Sequence, residues 1–153
     1  ALQRWRFPGD PLLDQLMRTQ AQMGGLYDEN LIRQAIHEAE VLLQRFRQHP
    51  LYVEMNTALE RQHEVPFLGA SSQGNVEWGF MDCLYCTQAG WMLVDFKTDE
   101  VRPDWLPDKI KAYAPQLKLY ARALEKIYSR PVTVRWLHFL AARRTEKIQV
   151  MPC

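Results

Sequence analysis

The chain has 153 residues, 47% of them apolar and 24% charged, with a net charge of +1, a composition that suits one globular domain with a substantial core. No apolar run approaches the length of a membrane span, and the start, Ala1-Leu2-Gln3-Arg4-Trp5-Arg6, lacks the apolar segment of a secretory signal. With an odd count of three cysteines, Cys83, Cys86 and Cys153, no disulfide framework is implied and a cytoplasmic setting is expected.

In chain order, the first expected element is a helix over residues 10–23. Asp10 can cap it, Pro11 suits its first turn, and Leu12, Leu13, Leu16 and Met17 give it an apolar face. Gly24-Gly25 stops it. A longer helix is expected over 28–47, with Asp28 as N-cap and Leu31, Ile32, Ala35, Ile36, Ala39, Leu42, Leu43 and Phe46 at helical spacing. His49-Pro50 ends that helix, and 51–59 reads as a short third one. The period then switches. Residues 60–68 read as a strand, 69–75 as a turn, and 76–86 and 91–98 as the strands of a hairpin. A loop with two prolines spans 99–107. A helix follows over 108–129, burying Ile110, Tyr113, Leu117, Tyr120, Ala121, Leu124, Ile127 and Tyr128. Strands are expected at 132–141, with Val132, Val134, Trp136 and His138 on one face, and at 147–151 along an edge. This order predicts an α/β (α+β) fold with a mixed sheet of about five strands flanked by helices. The tight hairpin sets one antiparallel pair, and the helix between 91–98 and 132–141 is long enough for a crossover.

The chemistry concentrates in the hairpin. Strand side chains alternate faces, so Asp95 and Lys97 share a face with Trp91 and Leu93, and Asp82 shares one with Trp78, Phe80 and Leu84. A symmetric turn at Thr87-Gln88-Ala89-Gly90 puts Asp82 directly across from Asp95. Opposed residues lie about 5 Å apart at Cβ, and like charges there repel. A bridging hard cation such as Mg²⁺ gives two such carboxylates a reason to coexist. Two acids and a nearby lysine suit phosphodiester hydrolysis: the cation acts as Lewis acid and activates water, and Lys97 orients that water or steadies developing negative charge. Glu64, on the preceding strand, is a further acid near the metal. The alternative is an ordinary Asp95–Lys97 surface pair beside a strand-end acid. Cys83-x-x-Cys86 reads as small packed side chains, since positions three apart on a strand face opposite ways. Charge is uneven along the chain. Residues 1–96 hold 7 basic and 12 acidic side chains, and residues 97–153 hold 12 and 6, so the second part could follow a phosphate backbone unless the halves interleave on folding.

Four short motifs occur in order: Glu64-Val65-Pro66-Phe67, Gly79-Phe80-Met81-Asp82, Val94-Asp95-Phe96-Lys97-Thr98 and Gln116-Leu117-Lys118-Leu119-Tyr120. Together they resemble the RecB/AddA-type nuclease domain of the PD-(D/E)XK superfamily. The resemblance implies a restriction-endonuclease-like core in residues 59–153, with residues 1–58 a helical region of the same domain. It implies Asp82 and Asp95 as ligands of Mg²⁺ or Mn²⁺, Lys97 as catalytic lysine, Glu64 as an active-site acid, and Gln116 and Tyr120 as support for the site or the DNA. It also implies a metal-dependent DNA exonuclease in a helicase–nuclease of double-strand break repair and recombination. Its partners would be DNA, as single strands fed by the parent's helicase domain, and a second subunit, with no membrane role. A catalytically silent module that binds DNA ends or scaffolds such a complex is the alternative. Two features depart from the pattern. The four cysteines of iron–sulfur relatives are absent from the sequence, so no cluster is expected. The histidine such domains carry on an N-terminal helix, in a Gly-Thr-x-x-His context, has no match in His37, His49 or His63. The chain is therefore expected to be a fragment of a longer protein, cut after that histidine, with weakened metal binding and activity.

Overall fold

In a computed structural model, residues 1–70, 74, 76–98, 102, 104–128, 132–141 and 144–148 are described. The chain divides into two compact units, Ala1–Val53 and Glu54–Cys153.

The first unit is helical. After a single 3₁₀ turn at Leu2–Arg4 come α1 (Leu13–Met23) and α2 (Glu29–Arg47). Helix α1 starts three residues later than the sequence suggests. Asp10 Oδ1 accepts from Leu12 N at 2.9 Å and its other oxygen is held by Arg6 Nη1 at 2.7 Å, so Asp10 closes a turn ahead of the helix. On α2 the expected cap forms, with Asp28 accepting from the backbone N–H groups of Asn30 and Leu31. Of its expected apolar face, Ile32, Ile36, Leu43 and Phe46 are buried, while Leu31 is exposed. Trp5, Phe7, Phe46 and Tyr52 form an aromatic cluster with centroid separations of 5.0–6.3 Å. Helix α3 (Pro50–Asn56) includes Pro50 and stops short of the expected end at 59.

The second unit is a five-stranded open sheet, ordered β1 (Glu60–Ala70), β2 (Val76–Thr87), β3 (Gly90–Lys97), β4 (Val132–Phe139), β5 (Arg144–Ile148). All neighbours are antiparallel except β3 and β4, which are parallel and joined through α4 (Leu106–Tyr128). The expected α/β class and mixed sheet are therefore present, and they fit a restriction-endonuclease-like core. Strand β5 lies upstream of the expected 147–151, whose residues 149–151 fall outside the described set. Most of the expected turn at 71–75 and parts of the 99–107 loop also fall outside it. Helix α4 begins at Leu106, two residues before the expected start, and runs through Pro115. Its Leu117, Tyr120, Ala121 and Leu124 pack with Phe67, Met81, Leu84, Trp91, Leu93, Leu137 and Phe139 in the core. The side chains of Ile127 and Tyr128 lie outside the described set.

Two irregularities alter the period-two pattern. On β4 the register shifts opposite Trp91/Met92, which leaves Thr133 extra. The core face therefore passes from Val132 to Leu137 and Phe139, and the strand buries both sides rather than the single expected face. On β1, Glu64 takes a left-handed conformation, φ 51°. Across it the core-facing residues of the ribbon change parity, from Val65, Phe67 and Met81 to Leu84 and Cys86. As a result Trp78 and Phe80 are 76% and 51% exposed. The expectation that they enclose the two acids is corrected accordingly.

Candidate active site

The hairpin register is the expected one. Thr87 pairs with Gly90 and the ladder continues regularly to Cys83 opposite Val94. It ends there, one step before Asp82 and Asp95. In place of the next ladder bond, the Asp82 side chain reaches across, and Oδ2 accepts from Phe96 N at 2.7 Å. The neighbouring ladder has a matching break, with β1 and β2 paired on both sides of Glu64 and Asp82 but not at them. The acids thus sit where both ladders open, and backbone groups there are available to bind something other than a strand.

Asp95 is buried, at 3% exposure, and its Oδ2 lies 2.7 Å from Lys97 Nζ. The two share a face, as their spacing requires. The ammonium also donates to Gln116 Oε1 at 3.3 Å and sits 4.2 Å from the centroid of the Tyr113 ring. Gln116 Nε2 in turn donates to the Tyr120 hydroxyl. Gln116 and Tyr120 are one helical turn apart on α4, and Tyr120 is anchored by the Phe67 ring at 4.7 Å. A relay therefore runs from the core, through Tyr120 and Gln116, to the lysine and on to Asp95.

The electrostatics mark the acids as strained neighbours. Burial pushes the Asp82 carboxyl up to about 6, and the Asp95 charge adds to the rise; the Phe96 N–H and Lys97 oppose it. Burial also raises Asp95, against the hydrogen bond and charge of Lys97. Hard oxygen donors, crowded and partly protonated for want of positive charge, are what a divalent cation relieves. Mg²⁺ keeps several waters and is commonly held by one or two carboxylates, so Asp82 and Asp95 fit it as ligands. Glu64 contributes a small unfavourable charge effect at Asp82, yet it does not complete a tight set. Among the described residues no group of three or more His, Cys, Asp and Glu side chains is placed to hold a metal.

Of the six residues singled out from sequence, Asp82, Asp95, Lys97, Gln116 and Tyr120 thus form one connected cluster, with Glu64 at its margin. Tyr113 is legible in the sequence only as a helix-face neighbour of Gln116. The Phe96 N–H leaves no side-chain signal at all. His63 also borders Asp82, and burial lowers its pKa to about 4, so it is neutral near pH 7. Cys83 and Cys86 carry free thiols, and burial pushes Cys83 up to about 12, which leaves it an inert packing group.

No family model matches the chain. Among curated proteins it is 33% identical over 129 residues to AddA, the larger-named component of the ATP-dependent helicase/nuclease, from Heliobacterium modesticaldum, an alignment covering 73% of this chain and 9% of that protein. The chain is homologous to a segment of AddA. The AddA of Carboxydothermus hydrogenoformans is 39% identical over 70 residues, 46% of this chain and 6% of its own length. That of Bacillus licheniformis is 27% identical over 139 residues, 85% of this chain and 11% of its own length. The chain therefore spans about a tenth of the AddA proteins it matches. No helix among the described residues is long and apolar enough to cross a membrane.

Proposed function

We propose that this chain is the nuclease part of an AddA-type helicase–nuclease and hydrolyses DNA phosphodiester bonds with Mg²⁺ or Mn²⁺ held by Asp82 and Asp95. The observation that carries this reading is the meeting of Asp82, Asp95 and Lys97 at the point where two strand ladders open. The homology to proteins named as helicase/nucleases supports it. The cation would supply Lewis-acid polarisation of the phosphate and a more acidic water. The chain's own groups do the rest. Lys97 presents a fixed positive charge toward negative charge developing on the phosphate. Asp95, Gln116 and Tyr113 keep that ammonium in one place, so little reorganisation is needed at the moment of reaction. The Phe96 N–H holds Asp82 in one rotamer, facing its partner acid. Glu64, at the margin, helps order solvent near the cation. In the complete protein the single strand would arrive from the helicase part during break repair.

The test is cleavage of end-labelled single- and double-stranded DNA in Mg²⁺ or Mn²⁺, by this chain and by a version extended at its N-terminus. Cleavage that Asp82→Asn and Lys97→Gln each reduce at least about a hundredfold supports the proposal. Failure of both proteins to cleave would leave a DNA-binding module in place of an enzyme. Full cleavage by either variant would sink the assignment of roles.

A further inference from the structure

Beside the acid site, α4 and the β1–β2 ribbon enclose a cleft of about 650 Å³, lined by Phe67, Trp78, Gly79, Gln116, Lys118 and Arg122 among others. Gln116 and Tyr120 belong both to this cleft and to the relay that holds Lys97, so the two are continuous. Gly79 opens it: a Cβ there would stand 2.9 Å from Phe67 Cε1. On α4, Lys118, Arg122 and Lys126 follow one another at four-residue spacing and are all exposed. They form a basic stripe along one helix face, with steps of about 6 Å. A second hollow of about 380 Å³, lined by Leu119, Arg122, Glu125 and Lys126, continues the cleft along that stripe. Across from the stripe stands Trp78, 76% exposed, a large aromatic surface with little protein against it.

A row of cations ending at a carboxylate site, with an exposed indole at its side, matches a single-stranded nucleic acid better than a duplex. Cations follow the phosphates, and an aromatic face stacks a base that a duplex would keep inside. We propose that this cleft is the track of single-stranded DNA to or from the acid site, with phosphates along Lys118, Arg122 and Lys126 and a base on Trp78. The proposal rests on the nuclease reading for its direction, but binding can be tested without cleavage.

The probe is a fluorescein-labelled 12-nucleotide oligothymidine, titrated with the chain in EDTA at several salt concentrations. The Lys118→Ala/Arg122→Ala/Lys126→Ala variant is expected to bind at least about tenfold more weakly, with a log K against log salt slope shallower by about 2. Trp78→Ala is expected to weaken binding at least about fivefold with the slope unchanged. Circular dichroism melts show whether each variant remains folded, and an Arg33→Ala/Arg45→Ala/Arg47→Ala control on α2 should bind as the parent does. Unchanged affinity in either cleft variant overturns the proposal. So does an equal loss in the control, or a blunt duplex that competes as well as the single strand. A parent chain that binds through this cleft but never cleaves would keep the track and remove the nuclease reading; one that cleaves while the triple variant binds normally would do the reverse.

Discussion

Asp82 concentrates the physical tension of the site. Its folded pKa of about 6 stands above the ordinary 3.8, so the native state holds a proton across a window where the unfolded chain has lost it. The linked stability is fully present below about pH 4 and is lost as pH rises through about 6. Without divalent cations, the melting temperature should therefore fall between pH 4 and 7. Asp82→Asn should flatten that dependence and stabilise the chain at pH 7.5 by on the order of 1–3 kcal/mol, as read by denaturant melts. A variant that removes a proposed metal ligand yet gains stability is the signature of a site held against its own folding preference. Lys97 behaves oppositely. Its removal leaves Asp95 buried beside no cation, and Lys97→Ala should cost about 3–5 kcal/mol. The conservative Gln is thus the better probe of its chemistry.

At the scale of elements, two local distortions build the site. Glu64 sits left-handed in the middle of β1, a conformation that costs a non-glycine residue roughly 1–2 kcal/mol. Glu64→Gly should raise stability by about that amount while lowering any cleavage that depends on the carboxylate. Equal or lower stability would mean that the bend is held for another reason. Pro115 lies inside α4, one residue before Gln116, where it cannot donate the helical hydrogen bond. Pro115→Ala should stabilise the helix by about 1–3 kcal/mol; a fall in cleavage at the same time would show that the interrupted turn sets the angle of Gln116. These features mark the limit of reading from sequence. The hairpin register is accessible because a Thr87–Gly90 turn and period-two spacing fix it from one end. The exposure of Trp78 and Phe80 is not, because the parity change across Glu64 depends on a backbone conformation that no side-chain pattern announces. The start of α1 escapes for a related reason: Asp10 has two uses, capping a helix or closing a turn with Arg6, and only tertiary contact decides between them.

At the scale of the whole molecule, the acidic and basic parts of the sequence separate by role within the second unit. The acids cluster at the opened ladders, and Lys118, Arg122 and Lys126 line α4 leading away from them. The fold class is readable because four motifs and the strand–helix–strand order agree. The cleft is not, since it needs α4 laid against β1 and β2, a long-range contact absent from any local window. The central claim is that Asp82 and Asp95 hold one divalent cation, and calorimetric titration with Mn²⁺ tests it most directly. The expected result is a single site at pH 7.5 that weakens as pH falls through about 6, is lost in both Asp82→Asn and Asp95→Asn, and survives in Trp78→Ala. Mn²⁺ binding that is unchanged in both aspartate variants would contradict the account.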